Sequence, residues 1–185
     1  MCRSAAFWCS AFLLLIAPSR SHAATPISAC GTTITKSGSY VVTKNLALKK
    51  SGGLSACILI NTSFVSIDLG GFTIDCNGQP SATGILIEDS STGVIIRKGV
   101  IAGCHFGINA ESGALIEGVT TLANSASGIS LGPGSLVTKG ISNNNDLGIA
   151  LPCASGALDN TVLGNLTNSL ITIGSGCALL NDLTP

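Results

Sequence analysis

The amino-acid sequence predicts an all-β protein, a single-stranded parallel β solenoid of about six to seven coils of ~21 residues each. Three observations predict it: a Gly-Ile pair that returns at a near-constant interval, short strand-like runs without a helical period, and a composition too apolar to stay unfolded. The pairs are Gly84-Ile85, Gly107-Ile108, Gly128-Ile129 and Gly148-Ile149. A second anchor follows each pair, at Gly99-Val100, Gly118-Val119 and Gly140-Ile141, with Asn160-Thr161-Val162 in the equivalent place. A third is polar, since Asn124, Asn144 and Asn165 precede Gly128, Gly148 and Ser169 at one fixed offset. Between the anchors lie runs such as Ile85-Leu86-Ile87 and Val94-Ile95-Ile96, bounded by Gly, Ser, Asn and Asp, as strands are. Only 10% of residues are charged while 45% are hydrophobic, so the chain must hide most of its side chains.

Taken in chain order, residues 1–23 read as a secretory signal. Arg3 stands near the start, an apolar run extends from Ala5 to Ala17, and Ser21-His22-Ala23 supplies the small-x-small cleavage site. That run falls short of the ~20 residues a spanning helix needs, and no later stretch is longer, so the mature chain is expected to be exported without a transmembrane segment. Residues 24–55 repeat less cleanly and read as an N-terminal cap with the first coil, with Thr32-Thr33-Ile34-Thr35 and Tyr40-Val41-Val42 as half-exposed strands. Residues 56–185 carry the β-helix repeats, closed by Leu170-Ile171-Thr172-Ile173 and Leu179-Leu180-Asn181, and no second domain is expected after Pro185. Loss of Arg3 and Arg20 with the signal leaves the mature chain slightly acidic, which provides no footprint for nucleic acid.

Cleavage also removes Cys2 and Cys9, leaving Cys30, Cys57, Cys76, Cys104, Cys153 and Cys177. An even set in an exported chain is expected to form disulfides. In a stack, bridges should join residues about one coil apart, which favours Cys30–Cys57, Cys76–Cys104 and Cys153–Cys177. No zinc-ligand spacing is present, and no metal or other cofactor is expected. Asn61 and Asn165 open Asn-x-Ser/Thr triplets, a chance occurrence in so Asn- and Thr-rich a chain.

Identical positions in neighbouring coils lie ~4.8 Å apart, one above another. Stacked Ile, Val and Leu are then expected to fill the core, glycines to supply positive-φ corners, and Asn124, Asn144 and Asn165 to pass amide hydrogen bonds from coil to coil. By the same register Lys98, Glu117, Lys139 and Asp159, each just before the second anchor, are expected to form an exposed column with Lys98 beside Glu117. Phe64 and Phe72 fall within strand patterns and are read as core or stacked fillers.

Val65-Ser66-Ile67-Asp68-Leu69-Gly70-Gly71-Phe72-Thr73-Ile74, followed by Gly84-Ile85-Leu86-Ile87 and Val94-Ile95-Ile96-Arg97, resembles secreted bacterial right-handed parallel β-helix repeat proteins of the pectin-lyase-like superfamily, over roughly residues 28–183. The resemblance implies a right-handed coil, and a polysaccharide or other cell-surface component as partner. It does not imply one activity, because such folds host polysaccharide lyases, hydrolases, epimerases and adhesins.

The motifs of the active members are missing. There is no Asn-Thr-Asp, adjacent Asp pair, Gly-His-Gly or Arg-Ile-Lys of the pectin hydrolases, and no Asp-Pro-His-Glu of the alginate epimerases. Hydrolysis needs two carboxylates facing across a groove, and the nine here are scattered, with Glu88-Asp89 the only adjacent pair. Arg97 and Lys98, the only basic pair near a core strand, are the candidate ligand-binding residues, because a lyase would need cations there to neutralise a uronate. His105 reads as a surface histidine beside a disulfide, and no catalytic residue is assigned. The expectation is an exported, non-catalytic scaffold, surface or interaction protein. The alternatives are a small polysaccharide lyase or hydrolase, or its degenerate relative, and a binding protein for carbohydrate or ice. Ice binding would want threonine ladders, and the threonines do not keep the coil register in the sequence.

Overall fold

A computed structural model describes residues 23–49, 53, 55–111, 113–173, 178–180 and 182; the signal segment, Cys177 and its surroundings lie outside them. Every described regular element is a strand and every pairing is parallel.

The chain enters with β1 (Thr25–Ile27) and then repeats one path: a strand on a first face, a corner, a strand on a second face, a corner, a strand on a third. The first coil holds β2 (Thr32–Ile34), β3 (Gly38–Val42) and β4 (Leu46–Ala47), and the second holds β5 (Ala56–Ile60), β6 (Val65–Asp68) and β7 (Thr73–Asp75). In the next two coils the second and third faces are one long strand bent at the corner. These coils are β8 (Thr83–Ile87) with β9 (Val94–Ala102), and β10 (Phe106–Ala110) with β11 (Ala114–Leu122). The faces separate again in β12 (Ser127–Ser130), β13 (Leu136–Thr138) and β14 (Ile141–Asn143), then in β15 (Leu147–Pro152), β16 (Gly156–Leu158) and β17 (Thr161–Leu163). The last described strands are β18 (Asn168–Ile173) and β19 (Ala178–Leu180). The first face is a 7-stranded sheet, and the other two, fused through β9 and β11, make a 12-stranded one.

The Gly-Ile anchors hold their register: Ile85, Ile108, Ile129 and Ile149 pair in succession and all are fully buried. Full burial of each such side chain is worth about 1.5–3 kcal/mol over leaving it in water. Their glycines serve close packing and not a positive φ. A Cβ on Gly84 would come within 2.6 Å of the Gly107 carbonyl oxygen, and one on Gly107 would overlap that of Gly128.

The second anchor slips by one residue. Val119, not Gly118, pairs with Gly99, so the corner column is Lys98, Gly118, Lys139 and Asp159, with φ of 54°, 61°, 54° and 56°. The expected charge column therefore does not exist, because Gly118 and not Glu117 stands between Lys98 and Lys139. The asparagine ladder is likewise shifted. Asn144 sits at a corner with φ 53°, in a column with Gly103, Ala123 and Gly164, and its neighbour Asn145 turns inward. Asn124 Oδ1 accepts the Cys104 amide at 2.9 Å. Asn145 Oδ1 accepts the Asn124 amide at 2.9 Å, and Asn165 Oδ1 the Asn145 amide at 2.9 Å.

Disulfides Cys30–Cys57 and Cys76–Cys104 join neighbouring coils across sequence separations of 27 and 28. Cys153 is also disulfide-bonded; the expected partner, Cys177, lies outside the described residues. The asparagine ladder stands directly on the second bridge, since its first acceptor takes the Cys104 amide. Its steps span 20 and 21 residues, fewer than the bridged coils. A shorter coil encloses a smaller cross-section. The inward column Ile67, Ile96, Ile116, Val137 and Ala157 shrinks to match.

Candidate functional site

Arg97, one of the two residues expected to bind a ligand, points outward from β9 in register with Asp68 on β6 and Glu117 on β11. Its Nε lies 3.1 Å from Glu117 Oε2 but is turned out of line, so the contact is an ion pair and not an aligned hydrogen bond. Both side chains are 40% exposed, where solvent screens such a pair to ~1 kcal/mol or less. The alternating column foreseen at Lys98 thus exists one residue earlier, as Asp68, Arg97 and Glu117. Lys98 occupies the next, left-handed corner position and is exposed. The backbone turn between them separates the expected pair.

The other ionisable groups are dispersed. Asp68 Oδ1 accepts the Gly70 amide at 2.8 Å and Asp75 Oδ1 the Asn77 amide at 2.7 Å, each closing a turn onto a left-handed residue. Asp146 accepts from the Thr167 hydroxyl, and Asp182 Oδ1 accepts the Asn160 amide at 2.8 Å. His105 Nδ1 lies 3.1 Å from Ser125 Oγ in the next coil, and its ring meets Phe106 edge-on at 4.6 Å. Among the described residues no group of three or more His, Cys, Asp or Glu converges as metal ligands would.

Besides a hollow of about 430 Å³ near Cys30, Lys44 and Lys49, the surface carries a second depression. Where the first face turns into the second, Phe64, Gly93, Gly113, Gly134 and Ala154 stack in one column. Phe64, Gly93, Gly134 and Ala154 have φ of 58°, 65°, 76° and 71°. Glycine suits such a corner best, because any Cβ there costs about 1–2 kcal/mol, a strain that Lys98, Lys139 and Asn144 also carry at the other corners. Phe64 is 73% exposed, which corrects its reading as a core filler. Beside the glycines, Ile95, Leu115 and Leu136 stand in register and point outward. Together they bound a shallow groove of about 340 Å³ that crosses three coils. The Phe64 ring lies against Gly93, so near that a Cβ there would come 2.9 Å from Phe64 Cδ1. Sequence reasoning missed this site because Val65 and Ile67 made Phe64 look like part of a strand. The available signal was a bulky residue at the position where the following coils place glycine.

The third face corrects one further expectation. Thr73, Val100, Thr120, Ile141 and Thr161 form a single outward column, so three threonines do keep the register, separated by aliphatic residues. Among the described residues no helix is long and apolar enough to cross a membrane, and the two disulfides are compatible with an extracellular or periplasmic setting. No family model, curated protein or solved structure matches the chain.

Proposed function

We propose that this chain is an exported, non-catalytic β-helix of the pectin-lyase-like kind that serves as an interaction scaffold. The observation that carries the reading is how its carboxylates are employed. Five of the nine serve the fold: Asp68 and Asp75 fasten turns, Glu117 is ion-paired with Arg97, and Asp146 and Asp182 bind the neighbouring coil. A hydrolase must hold two carboxylates at the two sides of one groove. A lyase must gather unneutralised cations on the uronate; here Arg97 faces Glu117, and Lys98 stands apart from it at a left-handed corner. The right-handed turn belongs to the same reading, because a crossover between parallel strands of one sheet is right-handed in about 98% of cases.

The test is turnover. Purified mature protein incubated with pectate, alginate and chondroitin, with and without calcium, should produce neither unsaturated product absorbance nor new reducing ends. Turnover that Arg97→Ala abolishes would replace the scaffold by a lyase.

A further inference from the structure

From the hollow at the N-terminal end of the stack we infer a docking site for an extended acidic polypeptide, which lies along the open edge of β4 as the strand that the entering coil omits. The inference rests on the scaffold reading and gives that scaffold a partner. The omission is visible in the path of the chain. β1 ends at Ile27 and β2 begins at Thr32, so residues 28–31 alone cross from the second face to the first, whereas the next coil crosses from Val42 to Ala56 and lays down β4 on the way. Among the described strands β4 therefore pairs with β7 alone, while β7 pairs on both sides, with β4 and β9. Leu48, just past β4, donates its amide to the Asp75 carbonyl at 2.8 Å, so by the alternation of a strand Ala47 turns its own amide and carbonyl away from β7. Between that edge and the crossing lies the hollow of about 430 Å³, with Ser28, Cys30, Lys44, Asn45, Ala47 and Lys49 in its lining. Both ends of the crossing are fixed. The Thr43 amide donates to the Ile27 carbonyl at 3.1 Å and the Gly31 amide to the Cys57 carbonyl at 2.8 Å, and Cys30 is bridged to Cys57. A site held open in this way needs little ordering when it is filled.

Charge selects the occupant. Lys44 and Lys49 stand on either side of β4 and line the hollow, both exposed and neither ion-paired among the described residues. The lining holds no carboxylate. The first carboxylate of the whole chain is Asp68, and Lys36, Lys44 and Lys49 all precede it. The one in register with the edge, Asp75, lies opposite Ala47 in the next coil, and its Oδ1 is taken by the Asn77 amide. In a solenoid the order of residues is also the order along the stack, so the open end is positive and the coils beyond it are acidic. Two demands then meet in one ligand. The unpaired edge asks for another extended backbone, and the lysines beside it ask for carboxylates, while a basic strand would be repelled.

The experiment separates strand pairing from charge. A fluorescein-labelled peptide of alternating glutamate and valine is titrated into the mature protein by anisotropy, and unfolding is followed in parallel. One control replaces glutamate by lysine, and a second keeps the glutamates but is N-methylated throughout, so that it retains the charge and loses its amide donors. The glutamate–valine peptide should bind at least tenfold more tightly than either control. Lys44→Ser with Lys49→Ser should weaken that binding at least tenfold while unfolding at the parent's temperature, because both side chains are exposed. Lys139→Asn, at an exposed corner in a later coil, should bind like the parent. Absence of binding overturns the docking site and leaves the lysines as guards of an open edge. Equal binding of the N-methylated or the lysine peptide overturns it too, as does a Lys44 and Lys49 double variant that binds like the parent. So does a dimer seen by sedimentation that this double variant dissociates, since the occupant is then a second copy. All these results leave the absence of polysaccharide turnover untouched, so the edge can fail as a site while the scaffold stands.

Discussion

Asn144 and Asn145 are adjacent in sequence and opposite in task. Asn144 is exposed at a left-handed corner, where asparagine is one of the few tolerated residues. Asn145 is fully buried, accepts from both the amide and the Nδ2 of Asn124, and donates to Ser142 Oγ at 3.0 Å and to Asn165 Oδ1 at 3.1 Å. Asn145→Ala removes the acceptor of a buried amide, so it should cost about 2–4 kcal/mol, whereas Asn144→Gly should stay within about 0.5 kcal/mol. Urea unfolding of the two variants measures the difference, and equal effects would place the ladder on the wrong asparagine. The charged column is tested similarly. Arg97→Glu and Glu117→Lys should each destabilise slightly, and a double-mutant cycle at low salt should show coupling of about 0.5 kcal/mol. Lys98→Glu should show none with Glu117→Lys, because the corner holds Lys98 in a different column.

Corner and strand glycines make the same distinction among elements. Gly118 has φ 61° and open space around it, whereas Gly107 has an ordinary backbone and a carbonyl oxygen where its Cβ would go. Gly118→Ala should cost about 1–2 kcal/mol through the left-handed conformation alone. Gly107→Ala must spread β10 from β12 and should cost about 3 kcal/mol or more. Thermal unfolding of both variants ranks them. Much of the element pattern was legible in advance. Short apolar runs at a constant interval, bounded by turn formers, identify strands, and Gly-Ile marks one in-register row. The second anchor was misaligned because glycine answers two demands at neighbouring corner positions, a positive φ at Gly118 and room at Gly99. A Cβ on Gly99 would lie 2.9 Å from the Phe72 carbonyl oxygen. A one-letter alignment cannot tell these demands apart.

For the whole molecule, the buried interior changes along the described stack, while disulfide bonding reaches as far as Cys153 in the later coils. The early, longer coils enclose an isoleucine-rich interior and carry the bridges Cys30–Cys57 and Cys76–Cys104. The later, shorter coils carry buried polar ladders. Besides the asparagines, Thr121 Oγ1 donates to Ser142 Oγ at 3.0 Å, and the Ser135 amide donates to Ser155 Oγ at 3.2 Å. Each bridge closes a loop long enough to restrict the unfolded chain by about 3–4 kcal/mol. Cys76→Ser with Cys104→Ser should therefore lower the stability found in urea by about that amount, and reductant should then have a smaller effect than on the parent. A double variant as stable as the parent would show that packing alone holds these coils.

What the sequence determined by itself is the local and periodic part of this protein. Strand-forming runs, the coil length, the inward isoleucine row and cysteines one coil apart all depend on spacing along the chain, and stacking repeats a spacing without altering it. What only the tertiary structure decided is which side of the wall a residue occupies near a corner. A single left-handed residue resets the alternation of side chains, so one position separates buried Asn145 from exposed Asn144, and Arg97, ion-paired with Glu117, from Lys98 in the corner column. The same reset puts the Phe64 ring outside beside a glycine groove, although Val65, the next residue, is buried. That choice depends on backbone angles and on the coil above and below, which the order of residues does not display.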